Sequence, residues 1–203
     1  MDSITIRLTK AEDAERLLAI YEPYVLTTPI TFEVVVPTLS DFRNRIRTIS
    51  GRYPYLTALK NDVIVGYAYA SAFKGRAAYD WSVETSIYMD QDYRGHGVGR
   101  MLYTALEACL KKQNICNVCA CITYPNPASI SFHEAFGYGT VAHFHKSGYK
   151  FGSWHDMIWM EKFIGEHMDE PHAFVPFSQI LENKIEEKSH GKFNVIPQTN
   201  YPR

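Results

Sequence analysis

The chain opens on an alternating pattern. Ile4, Ile6 and Leu8 stand between polar neighbours, the period-two signature of a half-buried strand. Thr9-Lys10-Ala11-Glu12 reads as a capping box, with a hydroxyl at the N-cap and Glu three residues later. Leu17, Ile20, Tyr21, Tyr24 and Val25 then continue at helical spacing. After a loop around Thr28 to Glu33, Ser40 is the expected cap of a second helix carrying Phe42, Ile46 and Ile49 on one face. Tyr55 to Leu59 and Val63 to Ala70 flank Asn61-Asp62, a tight hairpin signal, and Trp81 to Met89 reads as a longer strand. The clearest helix follows: Val98, Met101, Leu102, Ala105, Leu106, Cys109 and Leu110 recur with helical period, and Asn114 is a plausible stop. Val118 to Ile122 is a short strand. Asn126-Pro127 starts another helix, Asn as N-cap and Pro where its missing N–H costs nothing, and Gly137 ends it. Strands near Thr140 to Phe144 and Asp156 to Lys162 complete the order β-α-α-β-β-β-α-β-α-β-β. That order predicts an α/β architecture of the α+β type, a mixed sheet flanked by helices in one domain over residues 1–163. From Ile164 the texture changes, with Pro171, Pro176, Pro197 and Pro202 and a charged stretch from Glu182 to Lys192. Residues 164–203 read as a C-terminal extension that partly docks and then frays, or else caps a dimer interface.

Composition narrows the function classes. At 203 residues, 46% apolar and 14% aromatic, the chain can bury a core and is not a disordered one. The formal net charge is −1, which disfavours a dedicated nucleic-acid binder. No apolar run approaches the ~18 residues of a membrane span. The first residues lack the basic-then-apolar layout of a signal peptide, so a cytoplasmic protein without membrane partners is expected. Cys109, Cys116, Cys119 and Cys121 cluster too closely for a disulfide scaffold, and the lone Cys116/Cys119 pair lacks the second ligand pair of a zinc site. They are expected to be small buried residues, and no metal is expected.

Arg94-Gly95-His96-Gly97-Val98-Gly99-Arg100 lies between a strand and the best helix. Its alternate glycines allow a tight turn that presents backbone N–H groups at the positive end of the helix dipole, an anion site suited to diphosphate oxygens. The dinucleotide pattern GxGxxG fails from either starting glycine, and no Gly-Lys-Ser/Thr of a P-loop is present. What remains is R-x-x-G-x-G, to be read as an anion cradle or as a ligand-free turn.

This motif, between a strand and a long helix, resembles the acetyl-CoA pyrophosphate loop of the GNAT N-acetyltransferase superfamily. The stretches Ala78 to Tyr88 and Pro125 to Tyr138 resemble the phosphinothricin N-acetyltransferases within it, which group with methionine sulfone and sulfoximine acetyltransferases. Thr31-Phe32-Glu33, Arg76, Lys150-Phe151-Gly152, Trp154 and Asp156 also fit. The resemblance covers about residues 3–163. Ser153 departs from it, standing where many relatives carry Arg, and the tail after Ile164 matches nothing in that core. The resemblance implies the acyl-CoA N-acyltransferase fold, acetyl-CoA as co-substrate, a small amino-acid-like amine as acceptor, direct attack in a ternary complex, and a homodimer.

The candidate residues follow. A carboxylate such as Glu84 in a strand is costly to half-bury unless it has a partner or a task, and desolvation suits it to general base work. It is the candidate base for the acceptor amine, or else an Arg-paired carboxylate. His133, in the helix capped by Asn126, is read as a catalytic acid or base or as a hydrogen-bonded helix residue. The resemblance implies that the backbone of Ile87, Tyr88 and Met89 pairs with the pantetheine arm, and that Asn126 contacts it too. Arg94, Gly95, His96, Gly97, Val98, Gly99 and Arg100 complete the cofactor set. Arg76, with Lys74 nearby, is a candidate for the acceptor's carboxylate, which Arg binds bidentately. Phe32, Tyr79, Lys150 and Trp154 are candidates for the rest of the pocket, or else packing residues. Two further readings stay open: another amine acceptor (a peptide N-terminus, a polyamine or an aminoglycoside), or a non-catalytic acetyl-CoA-binding module. Turnover on an amine panel separates them.

Overall fold

A computed structural model describes residues 4–188. Seven strands run β1 (Ile4–Leu8), β2 (Tyr55–Lys60), β3 (Val63–Ala72), β4 (Ser82–Met89), β5 (Asn117–Tyr124), β6 (Gly139–Lys150) and β7 (Ser153–Phe163). The helices are α1 (Ala14–Thr27), α2 (Leu39–Ser50), α3 (Val98–Lys112), α4 (Pro127–Glu134) and α5 (Phe177–Lys188). The strands form one mixed sheet in the order β1-β2-β3-β4-β5-β7-β6. Every neighbouring pair is antiparallel except β4 and β5.

The hairpin at Asn61-Asp62 forms as expected, both residues taking the positive φ that a two-residue turn requires. Asn126 caps α4 by accepting the Ser129 N–H at 3.2 Å, with Pro127 next to it. The two other expected caps are wrong. Thr9 spends its hydroxyl on Thr57 Oγ1, 2.6 Å away, and Asp13 instead accepts the Lys10 N–H at 2.7 Å before α1. Thr38, not Ser40, caps α2 by accepting the Asp41 N–H. At α2 the Thr38 hydroxyl precedes the first helical residue and so reaches the open Asp41 N–H, whereas Ser40 already lies inside the helix; at α1 the Asp13 carboxylate reaches back to the Lys10 N–H and no side chain caps the helix itself.

One face of the sheet packs on α3, burying Val83, Leu102, Leu106, Val118 and Met160. The other packs on α1 and α2, around Leu17, Tyr21, Phe42, Ile46 and Tyr67. Tyr103 lies off the apolar stripe read from the sequence yet is fully buried, because Phe132, His133 and Phe136 of the α4 region close over its ring. The segment after β7 lies along the α3 face. Trp81 donates its indole N–H to His172 O at 2.7 Å, Gln113 donates to Val175 O at 2.9 Å, and Phe177 and Ile180 are buried against Cys109. The extension is expected to dock in part and then fray; its residues from 189 onward lie outside the described residues. Three of the four cysteines are buried as expected; Cys121 is exposed, because its side of β5 faces an open cleft.

Candidate active site

β4 and β5 pair only over Ser82, Val83 and Glu84, opposite Asn117, Val118 and Cys119. Beyond that point β4 stays hydrogen-bonded to β3 as far as Met89, and β5 to β7 as far as Tyr124. Each strand follows its outer partner, so the sheet opens between them. A cavity of about 60 Å³ occupies the opening, walled by Thr85, Ile87, Tyr103, Cys121, Asn126 and His133. It shares Ile30, Ile87, Asn126 and Ser129 with a cleft of about 370 Å³ that runs to the start of α3.

Of the residues expected to hold a diphosphate-bearing cofactor, Ile87, Met89, Arg94, Gly95, Gly97, Val98, Gly99, Arg100 and Asn126 line this larger cleft. Gly97 caps α3 at φ 76°, a left-handed conformation that only glycine adopts without strain, and no side chain blocks the helix N-terminus. At Gly99 the fit is close: a Cβ there would lie 3.3 Å from both Ile87 Cδ1 and Phe132 Cε2, and those side chains would have to give way by a few tenths of an ångström. Arg94 and Arg100 are held at the walls over the rings of Tyr24 and Phe136, at 5.1 and 5.6 Å. Tyr88, expected to act through its main chain, lines the smaller cavity instead. The Tyr88 ring points to the opposite face, among Tyr21, Tyr24 and Tyr67, and His96 sits exposed outside the cleft lining. An open helix N-terminus, two arginines and a parted strand fit a linear ligand with a diphosphate at one end and amides along its length.

Sequence reasoning missed Tyr24. Its hydroxyl donates to Met89 O at 2.5 Å and accepts the Met89 N–H at 3.1 Å, fixing the outer end of β4. No local signal links residues so far apart in the chain.

Glu84 is half-buried at the last pair before the strands part. Burial raises its pKa above the ordinary carboxylate value, and the positive charge of Lys74 opposes that rise. The Lys74 ammonium lies 5.1 Å from the Phe73 ring centroid and 5.8 Å from that of Trp159, and Tyr79 stands edge-on to Phe73. Arg76 is exposed just before the short turn that carries Tyr79. Lys150 is buried and donates to Thr31 O at 2.7 Å, and burial pushes its ammonium pKa down. Phe32 lies against Gly148 and near His155. Trp154 is exposed at the far end of the β6–β7 hairpin, where its ring contact is Tyr149. Lys74, Tyr79 and Glu84 thus form one group and Phe32 with Lys150 a second, while Trp154 stands apart from both.

His133 is only 3% exposed. Its Nδ1–H donates to Ser129 O at 2.8 Å, so Nε2 of the neutral ring faces the Tyr103 hydroxyl, 3.0 Å away, as acceptor. Tyr103 in turn lies 3.3 Å from Thr85 Oγ1, and Tyr138 closes the group. Burial lowers the imidazole pKa and raises those of both tyrosines, so the whole group is uncharged at neutral pH. Neither Cys119 nor Cys121 is an activated thiol: desolvation, reinforced by nearby carboxylates, pushes them up to about 11 and about 12.

Residues 6–159 match the family model described as "Acetyltransferase (GNAT) domain". The chain belongs to the GNAT acetyltransferases. Among its relatives in that family is the phosphinothricin N-acetyltransferase of Streptomyces viridochromogenes, 34% identical over 178 residues, which span 87% of this chain and 96% of the relative. The L-methionine sulfoximine/L-methionine sulfone acetyltransferase of Salmonella typhimurium is 29% identical over 168 residues, 81% of this chain and 96% of the relative. The GNAT phosphinothricin acetyltransferase of Sinorhizobium meliloti, solved in complex with AcCoA, superposes with a TM-score of 0.79 at 31% identity, covering 86% of this chain and 98% of the other. The chain is therefore an N-acetyltransferase that uses acetyl-CoA.

Proposed function

We propose that this acetyltransferase acetylates the primary amine of a small amino-acid-like acceptor, of the phosphinothricin or methionine sulfoximine/sulfone type, by direct attack within a ternary complex. The observation that carries the reading is Glu84, a half-buried carboxylate of raised pKa at the point where β4 and β5 separate. Acetyl-CoA supplies the activated acyl group as a thioester. The open N–H groups of α3, with Arg94 and Arg100, hold its diphosphate; the main chain of Ile87 and Tyr88, with Asn126, takes the pantetheine arm, while the Met89 N–H expected to join them is held by Tyr24. Glu84 removes the proton from the acceptor's ammonium, its burial making it a stronger base than an exposed carboxylate; the freed amine attacks the thioester carbonyl, the C–N bond forms as the C–S bond breaks, and the second amine proton leaves with coenzyme A as its thiol. Lys74 and Arg76 attract the acceptor's carboxylate on the Glu84 side, and Lys150 keeps ammonium donors beyond the one given to Thr31. Phe32 and Tyr79 contribute apolar walls. His133 acts as a positioning residue, holding the Tyr103 hydroxyl at the cavity wall.

The β6 edge of the sheet exposes Val141, Phe144 and Tyr149, with Phe151 and Trp154 at the hairpin end, which supports a homodimer through this hairpin. No disulfide joins Cys109, Cys116, Cys119 and Cys121, which supports a cytoplasmic setting. No described helix is long and apolar enough to cross a membrane.

The test is free-thiol release from acetyl-CoA with a panel of phosphinothricin, methionine sulfoximine, methionine sulfone, common amino acids, spermidine, an aminoglycoside and a short peptide. Release confined to the amino-acid analogues is expected; release with only another amine overturns the acceptor assignment. Glu84→Gln lowers turnover by about 10²–10⁴-fold with acetyl-CoA affinity nearly unchanged. The wild-type rate falls on the acid side as pH drops through the raised Glu84 pKa, because the base is then protonated. An unaltered rate for the variant across pH removes Glu84 from the mechanism.

A further inference from the structure

Outside the acetyl-transfer cleft, the β6–β7 hairpin gathers three metal-ligating side chains. His143 Nε2 and His145 Nδ1 lie 2.8 and 3.0 Å from the same oxygen, Asp156 Oδ2. The three donor atoms all lie within 4.8 Å of one another. The other Asp156 oxygen accepts the Lys146 N–H at 2.8 Å, which fixes the plane of the carboxylate. That N–H comes from a break in the β6–β7 register between Phe144 and Gly148, where Lys146 takes φ 50°. The side chain of His145 is 76% exposed, so a bound ion would keep water on its open side.

We propose that His143, His145 and Asp156 form a site for a borderline divalent transition ion, zinc in the first place. Two imidazole nitrogens and one carboxylate oxygen are a donor set that zinc and cobalt accept and that magnesium and calcium, which prefer all-oxygen sites, do not. The geometry is near that of the loaded state. Tetrahedral zinc with bonds of about 2.0–2.1 Å separates its ligand atoms by about 3.3–3.4 Å, so the two gaps to Asp156 widen by about half an ångström, and the gap between the two histidine nitrogens, within 4.8 Å, closes toward the same spacing by movement of the exposed His145 ring. The protons balance as well. Each histidine now donates an N–H to Asp156; on binding, that proton moves to the other nitrogen of the same ring, and no base is needed. The ion clips the irregular part of β6 to β7, next to Tyr124, whose ring contacts that of His143 at 4.7 Å. It takes no part in acetyl transfer.

The test uses the full chain, stripped with a chelator and titrated with Co²⁺ by visible absorption and with Zn²⁺ by calorimetry. One equivalent is expected, uncompeted by excess Mg²⁺, and zinc at a hundredfold excess over its Kd raises Tm by about 5 °C or more. His145→Ala, a change at an exposed side chain, weakens uptake at least about tenfold, and His143→Ala does the same. Cys121→Ser, which removes the exposed thiol, leaves uptake intact. Absence of uptake, uptake unchanged in both histidine variants, or loss confined to Cys121→Ser overturns the proposal.

Discussion

Removing the hydroxyl of Tyr103 tests the buried polar group under the opened strands. Tyr103 is 0% exposed and its Oη is the partner of His133 Nε2 at 3.0 Å. Tyr103→Phe keeps the ring and its edge contacts with Phe132 and Phe136 but leaves a buried imidazole nitrogen without a donor. A buried polar atom left unpaired costs about 1–3 kcal/mol. In a chain of this size each kcal/mol lowers Tm by about 2–4 °C, so a fall of about 2–12 °C is expected. The same substitution made in His133→Leu has no imidazole to orphan, and its extra cost drops toward that of the longer Thr85 contact. The coupling in the double-mutant cycle is therefore at least about 1 kcal/mol. Urea unfolding followed by tryptophan fluorescence, at one fixed protomer concentration so that any assembly contributes equally, measures all four corners. Additivity within about 0.5 kcal/mol refutes the pairing of Tyr103 with His133.

Two further outcomes follow from the same geometry. The folded-state pKa of His133 is depressed by burial, so the unfolded chain takes up a proton at this position before the folded one does. Stability is therefore lost as pH falls through the ordinary histidine value of about 6.5, and His133→Leu flattens this part of a Tm-against-pH profile; an unchanged slope contradicts it. Gly99→Val places carbon where Ile87 and Phe132 leave 3.3 Å, and it weakens acetyl-CoA binding by calorimetry at least about tenfold; unaltered affinity means that the cofactor does not pass there.

Elements governed by near neighbours in the chain were legible from sequence. The apolar stripe of α3 places Leu102, Leu106 and Leu110 in the core because helical period acts over a few residues. The turn at Asn61-Asp62, the Asn126 cap and the glycine turn before α3 are likewise local backbone chemistry, and most of the cofactor set fell in the cleft with them. Caps were legible only as a class of residue: Thr9 and Ser40 have the right chemistry, but which oxygen reaches the first N–H depends on where the chain enters the helix.

Tertiary structure decided the rest. Nothing near Glu84 in sequence says that β5 leaves β4 one pair later; that depends on β3 and β7 holding the two strands on diverging courses. Tyr103 lies outside the stripe that predicts burial, and only α4 closing over it makes it part of the site. Tyr24 meets Met89 and Lys150 meets Thr31 through contacts between segments distant in the chain, and the two histidines of β6 meet Asp156 because of the register of one hairpin. A sequence specifies what each residue can do locally, through dihedral preference, period and capping. Which hydroxyl meets which imidazole, and where a half-buried carboxylate stands relative to the opened strands, is set by the packing of whole elements, and those long-range contacts leave no short pattern to read.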